Sequence, residues 1–129
     1  MTARTAALAI GIIFIVVGLL GFIDNPIVGS SEKAMFHADT VHNMVHIISG
    51  LLFVLVGMAA PASASTVMII FGIVYLLIGI LGITSVGENG MAKLLGFLHV
   101  NAADNYLHIA LGIVIALAGL ITRRRPITA

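Results

Sequence analysis

The sequence predicts an all-α fold: a four-helix transmembrane bundle made of two tandem two-helix repeats, with pseudo-twofold symmetry along the membrane normal. The 129-residue chain is 60% hydrophobic and only 9% charged, with a mean hydropathy of +1.21, whereas soluble domains carry about a quarter charged residues. Four apolar windows are each long enough to cross a hydrocarbon core about 30 Å thick. These windows resemble one another in pairs, so we treat residues 1–129 as a single membrane domain.

Each window ends at a signal that stops a membrane helix. The first runs from about residue 6 to residue 23 and ends at Asp24-Asn25-Pro26, and the second runs from about 40 to 60 and is stopped by Pro61. The third covers about residues 66–84 and ends in a polar, glycine-containing loop, and the fourth covers about 102–122 and is closed by Arg123 to Arg125. Turn residues and charges of this kind mark the ends of spans.

An internal repeat supports the first window as a true span. The segment from Leu8 to Ile23 reappears as the segment from Ile69 to Thr84, and the second window matches the fourth at an offset of 62 residues. Repeat 1 therefore covers about residues 6–60 and repeat 2 about 66–122. The positive-inside bias of Arg4 and the C-terminal arginines predicts a multi-pass cell-membrane protein with both termini in the cytoplasm.

Glycines recur at seven-residue spacing in every window, which predicts one smooth helix-packing seam per span. They are Gly11 and Gly18, Gly50 and Gly57, Gly72 and Gly79, and Gly112 and Gly119. We expect leucine at Gly50 or Gly112 to disrupt the bundle more than leucine at Ala116. The alternative is that the glycines leave room for a flat cofactor or a lipid.

A polar stripe begins the second and fourth windows and shares their glycine face, so it is predicted to point into the bundle. In repeat 1 it comprises His37, Asp39, His42, Asn43 and His46; in repeat 2 it comprises His99, Asn101, Asp104, Asn105 and His108. His46 and His108 are expected roughly 9 Å below the outer boundary. Ionisable groups at that depth are costly and mark either a function or a satisfied internal network.

Three interpretations of the stripe remain open. In the first, a structural clasp, Asn43, His46, Asn105 and His108 hydrogen-bond to one another or to backbone carbonyls. In the second, His46 and His108 bind haem, a chlorin or a divalent metal, with His42 and Asp104 as further ligands. In the third, Asp39, His42 and His46 form a ladder for proton or solute movement that stops near His46.

The remaining polar residues have simpler expected roles. Asp39 and Asn101 can N-cap the second and fourth helices, and His37 and His99 precede those helices as surface or capping groups. Tyr106 is expected to anchor at the outer interface, and Tyr75 to reach an internal hydrogen-bond acceptor.

Composition and motifs also limit the chemistry. The chain has no cysteine, which excludes disulfides, thiolate metal sites and cysteine nucleophiles. A net charge of +1 without a basic, aromatic-rich patch argues against a nucleic-acid partner. No nucleophile with its base, P-loop or dinucleotide fingerprint is present, so a non-enzymatic protein is favoured.

The string from Val100 to His108, followed by Gly112, resembles a bacterial family of small four-helix integral membrane proteins of unknown function. The segment from His42 to His46, with Gly50, resembles that family's other element. The resemblance implies the four-span fold and the paired polar motifs. The sequence thus predicts an accessory or interaction subunit with a buried Asn/His cluster, in contact with lipid and with other membrane subunits or copies of itself. The alternative is a haem-, chlorin- or metal-binding membrane protein.

Overall fold

Four long helices dominate the computed structural model, which describes residues 1–123. They are α1 (Ala3–Leu20), α2 (Thr40–Ala59), α3 (Ala64–Ser85) and α4 (Ala102–Arg123), with a 3₁₀ turn at Pro61–Ser63 before α3. All four are long and apolar enough to cross a membrane, which confirms the predicted four-span, all-helical bundle. Arg124 and Arg125, expected to help close the last span, lie outside the described residues.

Helix α1 begins and ends about three residues earlier than the apolar window predicted. The Thr2 side chain accepts a hydrogen bond from the Thr5 N–H at 3.2 Å and caps the N-terminus. At the other end, the Asn25 amide donates to the carbonyls of Leu20 and Val28 at 2.9 and 2.8 Å. Because these side-chain bonds compete with further helical turns, Ile23 lies beyond the helix although it is apolar.

The loops between α1 and α2 and between α3 and α4 contain short strands, which the apolar windows did not predict. In the first loop, β1 (Val28–Gly29) pairs in parallel with β2 (Phe36–His37). In the second, β3 (Met91–Leu94) and β4 (Leu98–Asn101) form an antiparallel hairpin. Alternate residues of this hairpin are buried and pack on the helix ends: Ala92, Leu94, Leu98 and Val100.

The helices pack tightly in two hairpins, α1 with α2 and α3 with α4, through glycine backbone contacts. A Cβ added to Gly11 would lie 2.7 Å from the Gly50 carbonyl oxygen, and a Cβ on Gly72 would lie 2.7 Å from the Gly112 carbonyl oxygen. Gly18, Gly79 and Gly119 lie as close to a backbone carbonyl of the neighbouring helix of their own hairpin, whereas a Cβ on Gly57 would lie 3.0 Å from the Leu8 side chain. Small residues, and glycine above all, allow two helix backbones to approach this closely.

Ala116 does not provide the comparison outside the glycine seam that the sequence suggested. It is half-buried, and its backbone nitrogen would lie 2.5 Å from a Cβ added to Gly72. Ala116 therefore belongs to the α3–α4 contact, since one turn after Gly112 the same face of α4 still meets α3. Ala110, which is exposed, is the suitable comparison.

The apolar core lies where the two hairpins meet. Phe14 of α1 stands edge-on to Tyr75 of α3 at a ring separation of 5.2 Å and lies 6.0 Å from Phe53 of α2. The core consists mainly of small and aromatic residues, with Met68 and Ile115, and draws on all four helices: Ala6, Ala7, Phe14, Phe53, Ala64, Met68, Tyr75 and Ile115. Many other large aliphatic residues are exposed on the outward helix faces, where the bilayer is their solvent.

Candidate functional site: a three-histidine cluster between the hairpins

Three buried histidines converge between the two hairpins. His42 and His46 come from α2 and His108 from α4, and their available ring nitrogens all lie within 4.8 Å of one another. Their exposed fractions are 2%, 7% and 3%. The cluster therefore joins both hairpins at one point that is shielded from water.

The helical repeat of α2 places two of these rings together. Residues four apart share a helix face, and the His42 and His46 rings stack with their centroids 5.0 Å apart. His108 lies across the hairpin interface, 5.5 Å from His42 and 6.2 Å from His46 by ring centroids. Of the residues predicted to bind a ligand, these three histidines are therefore the ones brought together.

A bond from the other hairpin fixes the orientation of His42. Its Nδ1 lies 2.9 Å from the carbonyl oxygen of His99 in β4. Because a carbonyl can only accept, the hydrogen must be on Nδ1 of His42, and in the neutral ring Nε2 then has a free lone pair. Metal-binding histidines are oriented by this kind of contact.

At the rim of the cluster nearest the loops, Asp39 and His99 link α2 to β4. The Asp39 carboxylate accepts the His42 backbone N–H at 2.9 Å as the cap of α2 and also contacts Nδ1 of His99 at 2.6 Å. Partial burial acts to raise the pKa of Asp39, but the hydrogen bonds from His42 and His99 and the charges on these histidines together lower that pKa below its ordinary value. Asp39 is thus held as a carboxylate in this contact.

His37 occupies the same rim. Burial, and to a lesser extent the neighbouring His99, lowers the pKa of His37, while Asp39 acts in the opposite direction. The His37 and His99 rings lie 6.3 Å apart. Both rings therefore lie at the mouth of the site, outside the buried cluster.

Asp104 does not join the histidine nitrogens, although its position repeats that of His42. Its carboxylate accepts the backbone N–H groups of Asn101 at 2.8 Å and of His37 at 3.1 Å. The Asn101 side chain in turn accepts the Asp104 N–H at 2.9 Å, which is a reciprocal cap of α4. Through the bond from His37, the Asp104 carboxylate connects the loop of the opposite hairpin to α4.

The two asparagines of the stripe lie within the hairpins. Asn43 packs against Gly21, and Asn105 packs against Gly82, so closely that any added Cβ would overlap the amide. Asn105 is fully buried, and neither of its amide atoms has a hydrogen-bond partner among residues 1–123.

The hydrogen-bonded clasp expected among Asn43, His46, Asn105 and His108 does not form. In the part of the chain that the structure describes, no hydrogen bond joins these four side chains, and Nδ1 of both His46 and His108 is without a partner. The amides and the imidazoles are separated because the amides face the helix of their own hairpin, whereas the imidazoles face the opposite hairpin.

Cavities border the histidine cluster on two sides. One, of about 220 Å³, lies between α1 and α4 beside Phe14 and Leu111. The other, of about 180 Å³, lies between α2 and α3 beside Ser49 and Tyr75. All three histidines line both cavities, so space for a ligand exists next to the imidazoles on either side.

Tyr75 has no hydrogen-bond partner among the described residues, contrary to the expected internal acceptor. Its ring lies 5.6 Å from His108 and 6.3 Å from His46. Sequence reasoning also passed over Phe14, whose ring lies 5.3 Å from His46. The available signal was their alignment in the internal repeat, since Phe14 and Tyr75 occupy matching positions of the first and third spans.

Comparison with known proteins adds a family but no activity. Residues 4–121 match the model of the family described as Domain of unknown function (DUF4383). No curated protein and no solved structure matches the chain.

Proposed function

The chain belongs to the family Domain of unknown function (DUF4383), and we propose that it is an integral membrane protein that binds one transition-metal ion between its two hairpins. The ligands are His42, His46 and His108. The observation that carries the proposal is the convergence of their ring nitrogens within 4.8 Å in a buried site. Histidine is the commonest metal ligand in proteins.

The arrangement is close to that of a three-histidine metal centre. With metal–nitrogen bonds of about 2.1 Å, two imidazole nitrogens on one tetrahedral ion lie roughly 3.4 Å apart. Ring rotations that draw the three nitrogens together by at most about 1.5 Å complete such a site. The cavities beside the rings leave room for a fourth ligand, as in zinc sites that keep an open position.

Contacts around the cluster favour the neutral, metal-binding form of the imidazoles. The bond from Nδ1 of His42 to the His99 carbonyl directs the lone pair of Nε2 away from that carbonyl. His46 and His108 each have an Nδ1 without a protein partner. Unpaired buried polar atoms are costly, and coordination of a metal removes part of that cost.

The third ring favours a bare ion over haem or a chlorin. A macrocycle needs a flat slot between its axial ligands. The His42 ring lies 5.0 Å from the His46 ring and 5.5 Å from the His108 ring by centroids, so a third imidazole stands beside the pair where a macrocycle would extend. The imidazole-only ligand set suits zinc, copper, nickel or iron ions.

The test is metal binding by purified protein with a tag that contains no histidine. The chain is stripped with a chelator in mild detergent and titrated with Zn²⁺, and with Co²⁺ as a coloured substitute. We expect one ion per chain and cobalt absorption bands of a tetrahedral or five-coordinate site. His46→Ala and His108→Ala should each weaken binding by about a hundredfold or more, on the order of 3 kcal/mol per lost ligand.

His37→Ala is the matched control, because this histidine lies outside the cluster. Its bond to Asp104 comes from the backbone N–H, which alanine retains. It should bind Zn²⁺ as the unchanged protein does. The proposal fails if the unchanged protein binds no Zn²⁺, or if the double His46→Ala, His108→Ala variant binds it with unchanged affinity and stoichiometry.

A second candidate function, an accessory or interaction subunit, is supported by the turn between β3 and β4. Leu95 and Phe97 are 77% and 50% exposed at the tip of a loop beyond the spans. Native mass spectrometry from detergent should give a complex heavier than the 13.4 kDa chain. The Leu95→Ser, Phe97→Ser double variant should shift it to the monomer mass, and a monomer in both samples would remove this candidate.

The proposed protein has both termini in the cytoplasm and a pseudo-twofold axis between its two hairpins. Arg4 and Arg123 at the two chain ends support cytoplasmic termini, which places the histidine cluster toward the outer face of the cell membrane. The sequence repeat supports a pseudo-twofold axis between the hairpins. Cysteine-accessibility labelling at Thr2 and Ser31 tests the orientation, because only Ser31→Cys should react from outside intact cells.

A further inference from the structure

The cavity between α2 and α3 has features of a second binding site, next to the metal centre but chemically distinct from it. Val45 and Ser49 of α2 and Val74, Tyr75 and Ile78 of α3 contribute to its walls. Its volume of about 180 Å³ corresponds to roughly six water molecules at about 30 Å³ each. It can therefore hold a small organic molecule but not a lipid headgroup with its chains.

The Tyr75 hydroxyl is the polar group in this cavity that we expect a ligand to contact. Tyr75 is 4% exposed, and its hydroxyl has no hydrogen-bond partner among residues 1–123. Ser49 is its polar neighbour, but the two hydroxyls do not meet the distance and angle of a hydrogen bond. Because buried tyrosine hydroxyls normally find a partner, a ligand atom that accepts a hydrogen bond fits this position.

The opposite cavity lacks this hydroxyl chemistry. The sequence repeat aligns Tyr75 with Phe14 and Ser49 with Leu111, and both of these apolar residues line the cavity between α1 and α4. The two sides of the histidine cluster therefore differ at two aligned positions, and in both cases the hydroxyl lies on the α2–α3 side. General helix packing does not require that difference, because the apolar pair fills the aligned positions.

We propose that the α2–α3 cavity binds a small neutral molecule with a carbonyl oxygen, which accepts a hydrogen bond from the Tyr75 hydroxyl. No Lys, Arg, Asp or Glu is among its lining residues in the described chain, so an ion would lose its hydration there without compensation. Val74, at the α3 wall, is 43% exposed on a membrane-spanning helix. The ligand thus enters from the hydrocarbon region of the bilayer.

The test uses a fluorinated ketone, 4-fluoroacetophenone, with 4-fluoroethylbenzene as the matched probe that lacks the carbonyl. Binding of each probe to the detergent-purified full chain is followed by fluorine NMR. The titrations use chelator-stripped and Zn²⁺-loaded protein. Because binding to stripped protein does not depend on a metal, this test can succeed or fail independently of the metal-binding proposal.

Two variants copy the opposite cavity. Tyr75→Phe should weaken ketone binding about five- to tenfold, the usual contribution of one hydrogen bond, and should leave 4-fluoroethylbenzene binding unchanged. Ser49→Leu adds a larger side chain to the wall of the cavity and should weaken binding of both probes. The thermal unfolding temperature of each variant shows whether the bundle is intact.

Three results would overturn the proposal: equal affinity of the unchanged protein for both probes, a Tyr75→Phe variant that binds the ketone as tightly as the unchanged protein, or a Ser49→Leu variant that does so. The first two results would exclude a hydrogen bond from the Tyr75 hydroxyl to the ketone, and the third would exclude the α2–α3 cavity as its binding site. An unfolded Ser49→Leu variant leaves the Tyr75→Phe comparison to decide.

Discussion

The contacts within the hairpins and the contacts between them differ in chemistry. Inside each hairpin, glycine brings helix backbones together, as at Gly11 with Gly50 and at Gly72 with Gly112. Between the hairpins, the part of the interface nearest the strand-containing loops holds three imidazoles, an unpaired tyrosine hydroxyl and two cavities. The contact within each hairpin is closed, with one buried amide at Asn43 or Asn105, whereas the contact between the hairpins combines an apolar core with polar groups and cavities around the histidines.

We expect the contacts within the hairpins to determine stability and the contacts between them to determine ligand binding. A membrane helix gains nothing from leaving lipid for an apolar partner, so close packing at small residues must hold each hairpin. An interface with unpaired polar atoms and cavities gives up part of that packing energy. We therefore expect substitutions at the glycines to affect folding most, and substitutions at the histidines to affect ligand binding.

The largest effect is expected for Gly112→Leu. A Cβ at this position would lie 2.5 Å from the Leu76 backbone nitrogen, so a leucine must separate α3 from α4. We expect a loss of about 3 kcal/mol or more in unfolding free energy, measured by thermal unfolding in detergent. Ala110→Leu, on the exposed face, is the control and should change little; equal losses would show that the glycine contact is unimportant.

A smaller loss is expected for Gly82→Ala. The added methyl meets the Asn105 side chain, which can move further than a helix backbone can. We expect about 1–2 kcal/mol. Asn105→Ala in the same chain should recover part of this loss, as measured by a double-mutant cycle. Strictly additive effects would mean that the two residues do not contact each other.

Removing a cluster histidine should barely reduce stability without metal. His46→Leu and His108→Leu each delete a buried nitrogen that has no partner among the described residues. We expect metal-free unfolding free energies that are unchanged or higher by about 1 kcal/mol. Thermal unfolding in the presence of a chelator provides the measurement. A loss as large as that of Gly112→Leu would show that the histidines hold the hairpins together structurally.

The smallest effect is expected at the rim, for Asp39→Asn. The lowered pKa of Asp39 means that its ionised form stabilises the fold above the ordinary pKa of 3.8, and that this contribution is lost as the pH falls through the lowered value. The variant should be less stable at pH 7 by under about 1 kcal/mol, because water screens this pair. The two unfolding temperatures should converge on acidification; a constant gap down to pH 3 would contradict this role.

Apolar length and turn residues were enough to predict the helices, because burial in lipid dominates their energy. They could not predict that α1 ends at Leu20, since that depends on which carbonyls Asn25 reaches across the loop. They also missed the hairpin of β3 and β4. Its alternating pattern spans only a few residues on each strand, and it is fixed by packing on Val45, Ile78 and Val86.

The candidate site was predictable only in part. Helical spacing placed His42 and His46 on one face, and the repeat suggested His108 opposite them. The same reasoning gave Asp104 equal standing, because a helical wheel does not show that the Asp104 carboxylate can reach the N–H groups of Asn101 and His37. Which side of the cluster carries hydroxyls likewise depends on how the hairpins face each other.

X-ray absorption spectroscopy of the zinc-loaded protein in detergent tests the central claim most directly. A centre formed by His42, His46 and His108 predicts three imidazole nitrogens at about 2.0–2.1 Å, with the multiple-scattering pattern of histidine rings, and two such rings after His108→Ala. A shell of oxygen ligands alone, or an imidazole count unchanged in His108→Ala, would contradict a metal centre between the hairpins.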